Sequence, residues 1–207
     1  MSNYVKMTTP TGIAKYPYLD TPDTFFDKGG EGVYTLTLRL EKSECEGLLT
    51  DIQRLQQENV ERLTNTNGKK PPIGKNPIPI TEYEEEGVEY VDFKFKMRPS
   101  YKTKTGDKIE QKPTIFDSNA KPIKVKVGFG SKVKVSFTAA PYLAPVGAGV
   151  ALRLQAVQVL DLVVPAAKQG EAFEKVEGGF TVEQSEDTAE TPQPAESPEQ
   201  AKDATQF

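Results

Sequence analysis

Strict alternation of apolar and polar residues in three segments is the feature that most restricts how this chain can fold. In GVYTLTLRLE, YVDFKFKMR and SKVKVSF, the apolar residues recur at every second position, and threonine, serine or charged residues stand between them. Successive side chains of a β-strand point to opposite faces, so each segment is predicted to be a strand with one buried side. The longer segment GVALRLQAVQVLDLV is predicted to be a further, mostly apolar strand, and PTIFDSNAKPIKVKV a hairpin around Asp117–Lys121.

One helix is expected directly after the first of these strands. Ser43 and Glu46 have the spacing of a capping box, and an apolar stripe of helical period runs from Leu48 to Leu63. The following segment NGKKPPIGKNPIPI is predicted to be an irregular loop or arm, because prolines remove backbone donors and restrict their neighbours. The segment TPTGIAKYPYLDTPDTFF, which precedes the first predicted strand, is expected to be an extended arm or loop.

These elements predict a mainly β chain. About five strands joined by short turns fit an OB-fold, a five-stranded and partly open barrel, with one helix after the first strand. A β-sandwich fits the same alternation, and the pattern alone does not separate the two. Residues 1–170 are expected to form this domain, and residues 171–207, rich in Pro, Ala, Ser and Glu, a disordered acidic tail.

Residue types that support most catalytic and metal sites are absent. The chain has no histidine and a single cysteine, Cys45, which excludes zinc sites built from those ligands. Neither a GxxxxGK[ST] phosphate loop nor a GxSxG motif is present, and no apolar run is long enough to span a membrane. We therefore predict no enzyme, no catalytic residue, no metal and no cofactor.

The net charge of −4 conceals two oppositely charged parts. Residues 171–207 contain ten acidic and two basic residues, a net charge of −8, which leaves +4 on residues 1–170. Between Lys94 and Lys134 there are twelve basic and three acidic residues. A basic body joined to an acidic tail favours a nucleic-acid partner.

The basic residues recur as K-x-K pairs at the period of a strand, which places each pair on one sheet face opposite the core. One interpretation is a solvated edge on which lysines prevent aggregation, and the other is a surface that binds phosphates. The candidate phosphate contacts are Lys94, Lys96, Arg98, Lys102, Lys104, Lys124, Lys126, Lys132 and Lys134. Three aromatic residues outside clean core positions, Tyr101, Phe129 and Tyr142, are candidates for stacking on bases. For Phe129, a core position at the end of a strand is an alternative that fits the sequence at least as well.

The order of several segments resembles a known family. GVYTLTLRL, VDFKFKMRPSYKTKTGDK, IFDSNAKPI, GSKVKVSFTAAPY and VGAGVALRLQAVQVLDL follow one another as in the single-stranded DNA-binding proteins of T7-type bacteriophages, and the terminal Phe207 after an acidic tail matches too. The resemblance covers about residues 11–165 and the terminus. It implies an OB-fold and non-sequence-specific binding of single-stranded DNA during phage replication, recombination and repair, in the cytoplasm of the infected bacterial host. Tyr142 falls where the loop of that family carries a stacking aromatic residue.

The same resemblance gives the tail a role. It implies that the tail contacts the phage DNA polymerase and helicase-primase, with Asp203 and Phe207 as the candidate partner-binding residues. An acidic tail can also lie on the basic groove of its own chain and compete with DNA. A homodimer is left open, and no membrane partner is expected.

Two other functions fit parts of the sequence. The first is a β-rich virion or scaffold protein with a basic face, which would show no preference for single strands. The second is a metal-dependent nuclease that uses carboxylates such as Asp92, Asp117 and Asp161.

Overall fold

The computed structural model describes residues 4–25, 30–103 and 105–165. All of them belong to the unit formed by residues 1–167. Lys104, Asp203, Phe207 and the predicted acidic tail lie outside the described residues, so the domain boundary at residue 170 stays a prediction.

The described residues form eleven strands and one helix. In chain order these are β1 (Val5–Thr8), β2 (Gly12–Asp23), β3 (Val33–Glu41), α1 (Lys42–Asn67), β4 (Ile80–Glu85), β5 (Val88–Met97), β6 (Ser100–Lys102), β7 (Lys108–Glu110), β8 (Thr114–Phe116), β9 (Pro122–Ile123), β10 (Lys132–Ala144) and β11 (Gly147–Asp161). The mainly β class with a single helix is therefore confirmed. Within these residues, no helix has the length and apolar character needed to cross a bilayer.

Five of the strands close into a barrel. Strand β10 pairs with β2, β2 with β3, β3 with β5, β5 with β11, and β11 with β10 again. All of these pairings are antiparallel except that between β5 and β11, which is parallel. When β2, β3, β5, β10 and β11 are numbered 1 to 5, the order around the barrel is 1-2-3-5-4-1, which is the strand order of a closed OB-fold. The predicted five-stranded barrel is confirmed.

The alternation in the sequence matches the two faces of the barrel wall. Leu36 and Leu38 of β3 are fully buried opposite Phe95 and Phe93 of β5, and Phe137 of β10 packs on Phe95 with ring centroids 5.0 Å apart. Helix α1 adds Cys45, Leu49, Ile52 and Leu55 to the same core. The intervening polar residues of β3 and β5 therefore point outward.

The segment predicted to be an arm before the first strand is instead β2, and this prediction was wrong. Its pairing with β3 shifts register between Lys15 and Tyr18, and Tyr16 has a positive φ of 48°. Pro17 lies within this irregularity, which interrupts the alternation that would have identified a strand. β1 and β2 thus precede β3, and α1 directly follows β3, as predicted.

The helix begins without the predicted capping box. Glu41 is the N-cap and makes no side-chain cap hydrogen bond, because β3 runs directly into α1 and leaves Ser43 inside the first turn. The C-terminal end agrees with the sequence: Gly68 adopts the left-handed conformation with φ 67°, and its N–H donates to the Thr64 carbonyl at 2.8 Å.

The proline-rich segment after α1 fills a gap in the barrel wall. β5 and β11 pair only at Lys96 and Arg153, and beyond that point the backbone carbonyls of residues 72–79 replace the missing strand contacts. Pro77 O accepts the Val150 N–H at 2.7 Å, and Pro79 O accepts the Lys94 N–H at 2.9 Å. Proline carbonyls can satisfy these donors although proline itself has none. The segment is irregular, as predicted, but it is part of the wall rather than a free arm.

Candidate nucleic-acid interface

A row of outward-facing side chains crosses the barrel wall. Residues directly opposite one another on paired strands share a sheet face. The strand registers link, in order, Lys6 of β1, Thr138 of β10, Arg153 of β11, Lys96 of β5, Thr35 of β3 and Tyr18 of β2. Their neighbours along the strands, such as Phe95 and Leu154, are buried, so these six residues point outward. We call them the cross-strand row; at about 4.8 Å per strand it follows the wall for roughly 24 Å.

Among the described residues, the cations at the centre of the row and the neighbouring Lys94 have no acidic partner. Within the described residues, no carboxylate lies within 4.0 Å of Lys94, Lys96 or Arg153. Lys96 and Arg153 are directly opposite each other, and the Arg153 guanidinium lies 5.4 Å from the centre of the Tyr4 ring. Like charges in this arrangement destabilise the free protein, and a bound anion relieves the repulsion.

Several cations outside the row are paired with carboxylates. Lys15 Nζ lies 2.8 Å from Asp92, and Lys112 Nζ lies 2.7 Å from Asp20. Lys108 Nζ donates to Glu31 at 2.7 Å. The hydrogen bond from Lys108 lowers the pKa of Glu31, and the one from Lys112 lowers the pKa of Asp20. The row and its neighbour Lys94 are therefore open to phosphates, as are other cations without an ion pair among the described residues, such as Lys124 and Lys132.

The predicted basic residues of β5 come together on this surface. Lys96 is a member of the row, and Lys94 stands one pleat away, opposite Thr37 of β3. Both are exposed, and so is Arg98 just beyond the end of β5. The period-two pattern in this strand therefore identified residues that share an outer face.

The remaining predicted cations lie in other places. Lys102 pairs opposite Lys108 in the separate two-stranded sheet of β6 and β7. Lys132 and Lys134 occupy the outward positions at the start of β10, opposite Asp161 and Gln158. They precede Thr138 on the same strand face.

Lys124 and Lys126 do not form a strand pair, so that prediction was wrong. Strand β9 ends at Ile123 after only two residues, because it pairs with β8 at Ile115 and Phe116 alone. Both lysines are exposed in the irregular stretch that follows. Lys126 borders a shallow depression that is also lined by Tyr18, at the end of the row.

Tyr142 lies in β10 rather than in a loop, contrary to the sequence prediction. It is directly opposite Gly149 of β11, and its side chain is half-buried. A Cβ atom at Gly149 would collide with the Tyr142 ring and hydroxyl, so the ring lies against the glycine backbone. The Asn59 side chain of α1 donates to the Tyr142 carbonyl at 3.1 Å. Tyr142 is therefore packed on the hairpin, on the outward face of β10 that also carries Thr138.

Other aromatic rings are more accessible. Tyr16 and Phe129 are 66% and 61% exposed, with ring centroids 6.3 Å apart, and Tyr18 in the row is 45% exposed. Tyr101 is half exposed in β6. Residues with positive φ that are not glycine often mark functional sites, and Tyr16 is one of them. Phe129 and Tyr101 thus agree with the prediction that they lie outside the core.

Sequence reasoning missed four residues of this surface: Tyr4, Lys6, Tyr18 and Arg153. Tyr18 lies in the segment predicted to be an arm, and the first two lie in or beside the short strand β1. Arg153 had a local signal, because it is the only charged residue between Gly147 and Leu160 and occupies a polar phase of β11. Its closeness to Lys96 depends on the parallel pairing of β5 and β11, which no local pattern reveals.

The described chain ends beside this surface. Gly128 N–H donates to Val163 O at 2.8 Å, and Val163 N–H donates to Ser131 Oγ at 3.0 Å. Pro165, the last described residue, also lines the depression beside Tyr18 and Lys126.

The three carboxylates of the nuclease alternative are not brought together in one cluster. Asp92 accepts hydrogen bonds from Lys15 and Tyr83, whereas Asp117 accepts the backbone N–H groups of its own turn. Asp161 is exposed at the end of β11. Among the residues that the structure describes, no group of three or more Asp, Glu, Cys or His side chains could hold a metal ion.

Comparisons with known proteins give the family of this chain. Residues 11–162 match the family model described as single-stranded DNA-binding protein, bacteriophage T7. The single-stranded DNA-binding protein of Enterobacteria phage T3 is 28% identical over 208 residues, covering 89% of this chain and 90% of the relative. That of Escherichia phage T7 is 26% identical over 209 residues, covering 92% and 90%.

Two solved structures have the same fold. The crystal structure of gp2.5, a single-stranded DNA-binding protein encoded by bacteriophage T7, superposes with a TM-score of 0.66 at 25% identity, covering 86% of this chain and 98% of that one. The single-stranded DNA-binding protein from bacteriophage Enc34 in complex with single-stranded DNA has a TM-score of 0.53 at 13% identity, covering 79% and 89%. The latter similarity concerns the fold alone.

Proposed function

Since this chain belongs to the family of the bacteriophage T7 single-stranded DNA-binding protein, we propose that it coats single-stranded DNA without sequence preference. The setting of this activity is phage DNA replication, recombination and repair, in the cytoplasm of the infected bacterial host. The family's function is binding rather than catalysis, which confirms the prediction that the chain is not an enzyme.

The observation that supports the proposal most strongly is that the cations of the cross-strand row form no ion pair with any described residue. Lys96 and Arg153 bind consecutive phosphates across β5 and β11, with Lys94 one pleat away along β5 and Lys6 two strands beyond Arg153. The hydroxyl of Thr35, on the other side of Lys96, can donate to a further phosphate oxygen. Phosphate contacts carry no sequence information, so this mode of binding is independent of base sequence.

Exposed aromatic rings complete the site. Tyr18 ends the row, and the Tyr16–Phe129 pair stands on the neighbouring irregular part of β2 and the loop before β10. A base that leaves the DNA stack can stack on such a ring regardless of its identity. Tyr142 and Tyr101 are further stacking candidates, at the β10–β11 hairpin and at the β6–β7 hairpin. Stacking is available to unpaired bases alone, which gives the preference for single strands.

A salt titration with labelled oligo-dT and a matched duplex tests the proposed function. Each phosphate neutralised on a single strand contributes about −0.7 to the slope of log affinity against log salt. Three or more contacts therefore predict a slope of about −2 or steeper, together with tighter binding to oligo-dT than to the duplex. A flat salt response, or equal affinity for both DNAs, would reject the proposal.

The role of Tyr18 is testable by two substitutions. Tyr18→Ala is expected to weaken binding to oligo-dT by about 1 kcal/mol, which is roughly fivefold, because one stacking platform is lost. Tyr18→Phe should bind like the wild type, since stacking does not need the hydroxyl. Fluorescence titrations of both variants provide the measurement. An equal loss in both would show that the hydroxyl, rather than the ring face, makes the contact.

We propose in addition that residues 1–170 form the DNA-binding domain and residues 171–207 an acidic tail with two roles. The tail competes with DNA for the basic surface, and its end, including Asp203 and Phe207, recruits the phage DNA polymerase and helicase-primase. Opposite net charges support the first role, and so does the position of Pro165 beside Tyr18 and Lys126. A single apolar ring at a chain terminus suits the second role. Homodimer formation belongs to the same proposal.

A further inference from the structure

On the outer face of β5, two residues separate the described cations that have no carboxylate partner from those that form ion pairs. Lys96 and Lys94 have no carboxylate partner among the described residues, whereas Asp92, the next outward residue, is bonded to two cations. Beyond Asp92, the hairpin of β4 and β5 carries acidic residues at Glu82, Glu84, Glu85, Glu86 and Glu89. The unpaired basic surface ends here, on the side that leads to α1.

Asp92 lies at the centre of this boundary. Its Oδ2 accepts from Lys15 Nζ at 2.8 Å, and its Oδ1 accepts from the Tyr83 hydroxyl at 3.1 Å and from Arg39 Nε at 3.4 Å. The side chains of Asp92 and Lys15 are only 16% and 15% exposed. Burial, together with the charge of Asp92, raises the pKa of Tyr83 to about 12, so its hydroxyl keeps the proton that it donates.

Lys15 is positioned to belong to the basic surface. The strand registers place Lys15 of β2 opposite Thr37 of β3, and Thr37 opposite Lys94 of β5. This second row runs parallel to the cross-strand row and one pleat away from it. The backbone of Lys15 is therefore in line with Lys94, but its ammonium group is directed to Asp92.

Arg39 has more contacts than Lys15 that keep its side chain away from the proposed DNA-binding surface. Its guanidinium also donates to Glu85 at 2.8 Å and lies 4.7 Å from the centre of the Tyr83 ring and 5.4 Å from that of Tyr90. Loss of Asp92 alone leaves all three of these contacts in place. Lys15 has no carboxylate besides Asp92 within reach among the described residues, and its other contact is weak, with Nζ 5.6 Å from the centre of the Tyr83 ring.

We propose that Asp92 sets the boundary of the DNA-binding surface by withholding Lys15 from the phosphates. This inference rests on the proposed function and adds a residue that limits the number of phosphate contacts. A carboxylate at this position also repels a strand that drifts from the row toward the acidic hairpin. The DNA is thereby confined to the wall formed by Lys94, Lys96 and Arg153.

A four-protein cycle tests the inference with the full chain and labelled oligo-dT: the wild type, Asp92→Asn, Lys15→Gln and the double variant. Asp92→Asn keeps the side-chain shape but releases Lys15, so the salt slope should steepen by about 0.7 and the affinity at 0.1 M salt should rise about fivefold. Lys15→Gln alone should leave the salt slope of the wild type unchanged, because Lys15 makes no phosphate contact in the wild type. In the Asp92→Asn background, Lys15→Gln should abolish the gain.

Glu84→Gln is the matched control, because it removes the same charge from an exposed residue of β4 that makes no ion pair within the described residues. Its effect should be well below that of Asp92→Asn. Circular dichroism melting identifies any variant that does not fold. If Asp92→Asn does not fold, Lys15→Gln decides, because a salt slope shallower than that of the wild type would show that Lys15 already contacts a phosphate and would overturn the inference. If the wild type binds oligo-dT and Asp92→Asn has the same salt slope as the wild type, the inference is also overturned. Absence of oligo-dT binding by the wild type would reject the proposed function itself.

Discussion

Neutralising Lys96 and Arg153 together, as Lys96→Gln with Arg153→Gln, is expected to lower the affinity for oligo-dT about 25-fold at 0.1 M salt. Each lost phosphate contact reduces the salt slope by about 0.7, which corresponds to a factor of about five at this concentration. The two residues are opposite each other and have no carboxylate partner within the described residues, so both charges are available to DNA. Titrations at several salt concentrations should show a loss that shrinks as salt increases.

The matched control is Lys108→Gln with Lys112→Gln, which removes the same charge from two lysines paired with Glu31 and Asp20. This variant should lose much less affinity. Thermal melting gives a second comparison: the row variant should melt at the same or a higher temperature, because it removes a like-charge pair. Equal DNA losses in both variants would show that net charge, rather than the row, determines binding.

Removing residues 171–207 is expected to raise the affinity for single-stranded DNA about tenfold at low salt. The tail carries a net charge of −8 and is joined to a body of net +4. A tethered segment has an effective concentration on the order of 1 mM, and weak electrostatic contacts have a dissociation constant on the order of 0.1 mM. The ratio of the two gives competition by a factor of about ten. The gain should decrease as salt screens the competition.

A variant that lacks only Phe207 separates the two proposed roles of the tail. It retains every acidic side chain of the tail, so its affinity for DNA should match that of the full chain. Its capture of the phage polymerase or helicase-primase in a pull-down should instead weaken, because the apolar anchor is gone. Lower DNA affinity after truncation would contradict competition, and intact capture without Phe207 would contradict the anchor.

The alternation of the sequence predicted those barrel strands that have one buried side and no irregularity. β3 and β5 were recognisable because Leu36, Leu38, Phe93 and Phe95 alternate with polar residues over their whole length. β2 was not recognisable, since its irregularity at Tyr16 and Pro17 breaks the period in the middle of the strand. Prolines and turn-forming residues there favoured an arm, and only the pairing partner β3 makes the segment a strand.

Strand β4 had no usable pattern for a different reason. Most of its residues are polar, and it is held as a strand by pairing with β5 and by the side chains of Tyr83 and Tyr90, whose rings stack at 5.8 Å and lie beside Arg39. The pairing itself is local, because β4 and β5 form a hairpin that turns at Glu86 and Gly87, both with positive φ, whereas Arg39 is distant in the sequence. Pairing across a tight turn can therefore create a strand where periodicity gives no sign of one.

The sequence predicted which cations of one strand share the outer face, but not which residues of other strands lie beside them. The phase of β5 places Lys94 and Lys96 on one face, and the structure agrees. Closure of the barrel determines which other residues join them, and it adds Arg153 through a parallel contact between strands that are far apart in the sequence. Lys124 and Lys126 show the opposite case, because their spacing fits a strand but β9 ends before them.

A crystal structure of the full chain with oligo-dT would locate the bound strand on the barrel. We expect the DNA backbone to cross β11, β5 and β3, with phosphate oxygens within hydrogen-bonding distance of Arg153 and Lys96. A base should stack on Tyr18, and Lys15 should remain on Asp92. DNA bound instead along α1 or on the β6–β7 hairpin, with Lys96 and Arg153 free of phosphates, would contradict the account.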